Sequence, residues 1–351
     1  MRIAYLINHL GLTGVNNVVL DLVKQMSAHG HDCVVFYREM MENPMQFPCK
    51  VEHVNDFRMA EFDVVHIHGL WPMMQCAFSP SYFRKGRKPL LVVTLHCYCF
   101  QDFFDLYGKV KGFVLGLVFL LAARRFDHIV CLSEDMKAYY RKYLPVNKMR
   151  VVYNTRDIAD GKLQNISTER EKMLLDFKKG SILIGMNGVL LYRKGVDLML
   201  QAMATLPEQY KLFIAGEGKM HKEFEQMAHE LQVDKRVYFA GYQSDAFQFL
   251  SMYDVFALPS RSEGFPLALL EAAAMKKKCV VSDLPIVKEC FINHEEVEMF
   301  KLTDGAEGLA AAIQRAIANQ NLGQALNKRF LRDYAPDKFY HNYMQIYNSA
   351  R

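Results

Sequence analysis

The 351 residues contain no low-complexity tract, no short internal repeat and a single tryptophan. Charge of one sign is scarce as well. Forty-three basic and 38 acidic residues leave a formal +5, and residues 1–160 carry 19 basic against 15 acidic side chains. So small a surplus does not argue for nucleic acid as a partner. It suits a weak attraction to an anionic membrane surface, or simply a solvated face. Eight cysteines occur without a Cys-x-x-Cys pair, most of them in apolar runs, and read as reduced core thiols of a cytoplasmic protein. Neither Asp-x-Asp nor Gly-x-x-x-x-Gly-Lys-Ser/Thr occurs, which argues against a metal-diphosphate site and a P-loop ATPase. The N-terminal Met1 to Ile7 reads as a buried strand without signal-peptide layout. The longest apolar run, 113–123, falls short of the roughly 20 residues that span a bilayer. Lys109 and Lys111 precede this run, and Arg124 and Arg125 follow it. It reads as a helix buried between a sheet and its neighbours, with a membrane-interface helix as the alternative.

Hydrophobic residues make up 51% of the chain, enough for two cores. Short β-rich runs alternate with helical spacing throughout, the pattern of parallel α/β sheets. Strands are expected at 2–7, 33–37, 64–67, 90–95, 129–132 and 151–153, with a first helix over 18–26. After a polar connector from Thr155 to Lys179 the pattern restarts. Strands are expected at 182–186, 212–215, 237–240, 255–258 and 280–282, and helices at 197–205, 220–231, 267–275 and 309–318. The division implied is 1–160 for one Rossmann-like domain, 161–333 for a second, and 334–351 for a C-terminal helix packing back on the first. Unusual polar residues cluster where strands end: His66, His68, His96, Ser133, Asn154, Gly188, Gly216-Glu217-Gly218 and Ser260 to Pro266. Open α/β sheets bind ligands beyond the carboxyl ends of their strands, so this placement points to a cleft enzyme. His66 and His68 share a strand face, but no third ligand of recognisable spacing joins them, and at least one is expected to be a hydrogen-bonded packing residue.

The sharpest segment is Pro259-Ser260-Arg261-Ser262-Glu263-Gly264-Phe265-Pro266-Leu267-Ala268-Leu269-Leu270-Glu271-Ala272. A strand runs into it, and helical spacing begins at Leu267, with Pro266 suited to a first helical position. Gly264 lets a ligand approach the backbone. Amides around Phe265 and Leu267, at a helix N-terminus, favour a diphosphate. Glu263 and Glu271, with seven residues between them, are expected about two turns apart on one side of the helix. One carboxylate would accept hydrogen bonds from sugar hydroxyls and the other from ribose hydroxyls. An acid near a helix start, worth at most about 1 kcal/mol, explains Glu263 alone but not the strand–Gly–Pro–helix–Glu order.

This segment resembles the Glu-x7-Glu signature of retaining GT-B glycosyltransferases, the family-4 group in particular, and the likeness covers nearly the whole chain. The resemblance implies two Rossmann-like domains facing a cleft, a nucleotide-sugar donor, no metal ion or other cofactor, and retention of anomeric configuration. Asn187 to Gly195 resembles the family's Gly-Arg-…-Lys-Gly segment. Lys194 matches the lysine that clasps the donor diphosphate, Val189 stands in place of the arginine, and Arg193 is the neighbouring candidate. Leu212 to Gly218 is similar to the strand and Gly-x-Gly turn near the nucleotide, which brings in Gly216 and Gly218. Val237 to Tyr242 resembles the strand whose exit, at Tyr242, lies over the base. Leu12 to Asn17 sits where the family carries a Gly-Gly loop. Gly14 remains there, Thr13 replaces one glycine, and Asn16 reads equally well as a helix N-cap. His96 matches the strand-end histidine that contacts the donor sugar.

The resemblance therefore implies that His96, Lys194 and Glu263 position sugar and phosphate at the reacting centre, with no side-chain nucleophile. Gly14, Arg193, Gly216, Gly218, Tyr242, Gly264, Phe265, Pro266, Leu267 and Glu271 complete the donor site. A UDP-sugar is the first expectation for the donor, and a saccharide or lipid-linked molecule for the acceptor, held by aromatic loops at 71–82 and 98–107. The family's common setting is bacterial surface-polysaccharide synthesis; for this chain a cytoplasmic location is expected, with a peripheral one at the inner face of the cytoplasmic membrane as the alternative. Two other classes share the fold: an epimerase acting on the nucleotide sugar, and a nucleotide-sugar-binding protein without turnover.

Overall fold

Near-continuous apolar runs fold as parallel strands covered on both faces. The computed structural model describes residues 1–78, 88–158, 166–243 and 246–349. The chain divides into two compact units, Met1–Asp157 with Tyr334–Arg351, and Ile158–Asp333.

The first unit holds β1 (Arg2–Leu10), β2 (Asp32–Met40), β3 (Lys50–His53), β4 (Val64–His68), β5 (Leu90–Leu95), β6 (His128–Cys131) and β7 (Met149–Val151). Their order is β3-β2-β1-β4-β5-β6-β7, and every pairing is parallel. The order reverses between β1 and β4, where ligands bind in open α/β sheets. The first helix is longer than its apolar stripe suggested, Gly14–Ala28, and its N-cap is Thr13 rather than Asn16. Thr13 Oγ1 accepts from the Asn16 amide, while Asn16 Nδ2 donates to the carbonyls of His9 and Gly11 and pins the turn.

That helix is tied to the end of the first stretch by charge. Arg156 Nη1 donates to Asp21 Oδ2 at 2.7 Å, and both side chains are buried. Burial pushes the Asp21 carboxyl up to about 6, although Arg156, the Asp157 amide and Lys24 pull it back. Gln25 Nε2 and Lys24 Nζ both bond Asp157. The C-terminal helix Pro336–Tyr347 belongs to the same unit. Its Tyr347 hydroxyl lies 2.7 Å from His66 Nδ1, and Thr94 Oγ1 lies 2.7 Å from His66 Nε2. His66 is therefore a packing residue with both nitrogens satisfied.

The second unit holds β8 (Ile182–Asn187), β9 (Tyr210–Ala215), β10 (Val237–Phe239), β11 (Val255–Leu258), β12 (Cys279–Ser282) and β13 (Glu298–Phe300), in the order β10-β9-β8-β11-β12-β13 and again parallel. Helices Val196–Thr205, His221–Glu230 and Gly305–Ala318 bury leucine, methionine, phenylalanine and alanine against it. Each fully buried large aliphatic side chain contributes about 1.5–3 kcal/mol.

Several expectations need correction. Leu70–Ala77 and Cys99–Tyr107 are helices rather than loops, and residues 79–82 lie outside the described set. Within the polar connector, Thr168–Lys178 is helical, capped by the Ser167 hydroxyl, while 159–165 lie outside the described residues. The apolar run is a helix, Lys109–Ala123, but it is not enclosed: five of its large apolar side chains are exposed. Strands β3 and β13 are additions to the expected set: Lys-Val-Glu-His and Glu-Met-Phe carry charged residues and lack a continuous apolar run. Six cysteines are buried, Cys49 and Cys97 are half-buried, and all eight are free thiols.

Removing Asp21 takes the carboxylate away from the buried Arg156 guanidinium, so Asp21→Ala should cost about 3–5 kcal/mol, and Asp21→Leu with Arg156→Met should recover most of it. The lone tryptophan, Trp71, lies in this unit, and its fluorescence during urea unfolding reports the change. A loss below about 1 kcal/mol would contradict the tie.

Candidate functional site

In the second sheet the order reverses between β8 and β11. The chain leaving β8 runs through 188–195 and the chain leaving β11 through 259–266, so the two loops emerge side by side at the switch point. Polar contacts lock them. Arg261 N–H donates to the Arg193 carbonyl at 2.7 Å, and Arg193 Nη1 to the Ser262 carbonyl at 3.4 Å. The Arg261 guanidinium forks onto Asp197 at 2.7 and 2.8 Å and sits 3.8 Å from the Tyr192 ring centroid. Gly195 is required at its position. Its φ is +72°, and a β-carbon there would run into the Pro259 carbonyl oxygen.

At the centre of these loops Lys194 Nζ donates to Glu263 Oε1 at 2.6 Å, and the Ser260 hydroxyl donates to the same oxygen at 2.6 Å. Glu263 is 8% exposed. Burial works against its charge, but Lys194, the Ser260 hydroxyl and Arg193 outweigh that cost and hold the carboxyl below its ordinary range. The Arg193 charge thus acts on the same carboxylate as that of Lys194, while Val189 is half exposed and carries no charge. Glu263 precedes the helix rather than riding on it. The helix is Leu267–Ala274, with Pro266 as its N-cap residue, and it carries only Glu271. The amides of Leu267 and Ala268 in its first turn have no intrahelical carbonyl to bond, whereas that of Leu269 donates to the Pro266 carbonyl at 3.0 Å. Phe265 is buried, and Gly264 is half-buried between it and Glu263.

The turn after β9 lies against the loop after β8. Gly188 N–H donates to the Ala215 carbonyl and Leu190 N–H to that of Glu217, both at 3.0 Å. A β-carbon on Gly216 would strike the Gly188 carbonyl oxygen, and one on Gly218 the backbone of Leu190. Both glycines are there for this close approach. The Gly218 amide and the His221 ring hold the exposed Glu217 carboxyl below its ordinary range. Gly216 N–H also bonds the Gly241 carbonyl, and Tyr242 follows half exposed. Lys194, Arg193, Glu263, Gly216 and Gly218 therefore converge on one sheet end, while Tyr242 exits β10 at its edge.

The remaining sequence candidates are in the first unit. Gly14 opens the first helix with nothing within 4 Å of a β-carbon built there. His96 follows β5, and its Nε2 lies 2.9 Å from His68 Nδ1. Burial pushes His96 down to about 4, and burial together with the neighbouring His66 and His96 holds His68 well below its ordinary value, so the pair is neutral at pH 7. Among the described residues His68 Nε2 has no partner. Three contacts were not read from the sequence: the His68–His96 pair, the Ser260 bond to Glu263, and the Arg261–Asp197 fork. Ser260 and both histidines carried a signal, since each is a polar residue at a strand end; the fork spans 64 residues and carried none.

A family model described as Glycosyl transferases group 1 matches residues 167–331, and one described as Glycosyltransferase Family 4 matches residues 47–160. The O-antigen biosynthesis glycosyltransferase WclY of Escherichia coli is 31% identical over 301 residues, 83% of this chain and 82% of that protein. The UDP-Gal:alpha-D-GlcNAc-diphosphoundecaprenol alpha-1,3-galactosyltransferase of Escherichia coli is 25% identical over 243 residues, 67% of this chain and 61% of that protein. The structure of HepE from Anabaena in complex with UDP-glucose is similar with a TM-score of 0.80 at 17% identity, covering 99% of this chain and all of that one. With both family models matched and a relative of that identity and coverage, the chain belongs to the family-4-like glycosyltransferases of GT-B fold and is an enzyme of that class.

Proposed function

We propose that the enzyme transfers a hexose from a nucleoside diphosphate, UDP in the first instance, to a saccharide or lipid-linked acceptor in surface-polysaccharide synthesis, with retention of configuration. The observation that carries this reading is the Lys194–Glu263–Ser260 cluster at the switch point of the second sheet. Cleaving the bond between the anomeric carbon and the diphosphate builds negative charge on the leaving oxygen. Lys194, Arg193 and the amides at the start of Leu267–Ala274 stabilise that charge where it develops, and the reading needs no divalent ion. An ionised carboxylate only accepts hydrogen bonds, which suits Glu263 to sugar hydroxyls and Glu271 to ribose hydroxyls. Lys194 Nζ donates to Glu263 Oε1; a donor phosphate competes for the ammonium and frees the carboxylate for the sugar. His96, held neutral, serves as a hydrogen-bonding partner rather than a charge. UDP is supported by the UDP-glucose complex of HepE, a lipid-linked acceptor by the diphosphoundecaprenol named for one relative, and the setting by WclY. Retention rests on the Glu-x7-Glu resemblance.

Lys194→Ala should lower kcat/KM by about 10²–10³-fold with circular dichroism unchanged, the scale for losing one preorganised electrostatic donor. A loss under about threefold would remove the lysine from the transition state. The pH dependence follows from the same geometry. Glu263 sits below its ordinary value and stays ionised until its lowered folded value is crossed, so its contribution disappears only in acid. His96 protonates near 4, so it too is unchanged at neutral pH. The kcat/KM profile should carry no inflection from either group between about pH 5.5 and 8. An inflection near 6.5 that vanishes in His96→Asn would contradict this assignment.

A further inference from the structure

Helices Cys99–Tyr107 and Lys109–Ala123 form a hairpin around Gly108, whose φ is +77°. They pack tightly. A β-carbon on Gly112 would press on the Phe103 carbonyl, and one on Gly116 on the Phe100 ring, which itself stacks on Phe113 at 5.8 Å. Gly112, Gly116, Phe119, Leu120, Ala122 and Ala123 are buried. The opposite side is not. Val110 is 83% exposed and Leu121 57%, with Phe113, Val114 and Leu117 between them at 43–53%. At about 100° per residue these five positions fall within one arc of roughly 100°. Lys109 and Lys111, both exposed, lie on either flank of that arc. At the hairpin tip Leu106 is 65% and Tyr107 45% exposed.

We propose that this hairpin docks on an anionic lipid surface, with the stripe from Val110 to Leu121 entering the interface and the flanking lysines meeting headgroups. Charge selects this occupant. From residue 106 to 126 the chain carries Lys109, Lys111, Arg124 and Arg125 and no acidic residue; the nearest acids, Asp105 and Asp127, lie beyond either end. An apolar stripe rimmed by cations matches the boundary between acyl chains and anionic headgroups. A second copy of this chain docked face to face would instead bring like-charged rims together. The helix lies in the surface rather than crossing it. Its 15 residues extend about 22 Å, short of the roughly 30 Å hydrocarbon core. Among the described residues no helix is long and apolar enough to cross a membrane. The inference stands apart from the transfer reaction, since docking uses neither donor nor acceptor.

The test is co-sedimentation of the full chain with vesicles of phosphatidylcholine alone and of phosphatidylcholine with phosphatidylglycerol. The full chain should partition onto the phosphatidylglycerol vesicles at least about tenfold more strongly. Val110→Asp with Leu117→Asp, and separately Lys109→Glu with Lys111→Glu, should each weaken that partition at least about tenfold while thermal unfolding is unchanged. If the aspartate pair fails to fold, the charge-reversed pair alone decides. Absence of binding to either vesicle, or equal binding by wild type and folded variants, overturns the proposal. So does a lipid-free dimer, seen by sedimentation velocity, that the aspartate pair dissociates.

Discussion

A carboxylate taken out of water must find compensation nearby or give up its charge. Glu263 finds it in a lysine and a serine, both within 2.6 Å of one oxygen. Lys194 belongs to the loop leaving β8 and Glu263 to the loop leaving β11, so the ion pair fixes two segments that meet only because the sheet order reverses there. The surrounding contacts serve the same registration. Arg261 forks onto Asp197, its amide holds the Arg193 carbonyl, and Gly195 lets the β8 loop turn against Pro259. A misplaced loop would leave Glu263 buried without its counterion, a cost of several kcal/mol. Under the proposed function the ammonium that neutralises Glu263 also meets a donor phosphate, so donor and resident carboxylate compete for one cation.

The sequence revealed the parallel sheets plainly, because strands covered on both faces read as continuous apolar runs. It also placed the candidate site residues at strand ends, where a polar residue after an apolar run has few packing reasons to occur. Glu263 itself was misplaced. Counting seven residues to Glu271 suggested one helix side, but the helix begins only at Leu267, and a carboxylate in the loop can reach back to Lys194 as one on the helix could not. Contacts between distant segments, such as Arg156 with Asp21 or Arg261 with Asp197, left no local pattern to read. The N-cap was missed for a local reason: Thr13 and Asn16 are both good caps, and which one caps depends on where the turn after β1 ends.

The helix Lys109–Ala123 failed differently. A helix apolar on every side reads as buried, since periodicity cannot say which side the protein covers. Its glycines carried the missing information. Gly112 and Gly116 mark the side on which Cys99–Tyr107 packs closely, which leaves the larger residues at 110, 113, 114, 117 and 121 facing out.

The most direct measurement is a crystal structure of the enzyme with a UDP-sugar bound. Lys194 Nζ should lie within hydrogen-bonding distance of a diphosphate oxygen, with the Glu263 carboxylate turned to a sugar hydroxyl. A diphosphate bound away from 188–195 and 259–267, with the Lys194–Glu263 pair unbroken, would contradict the account.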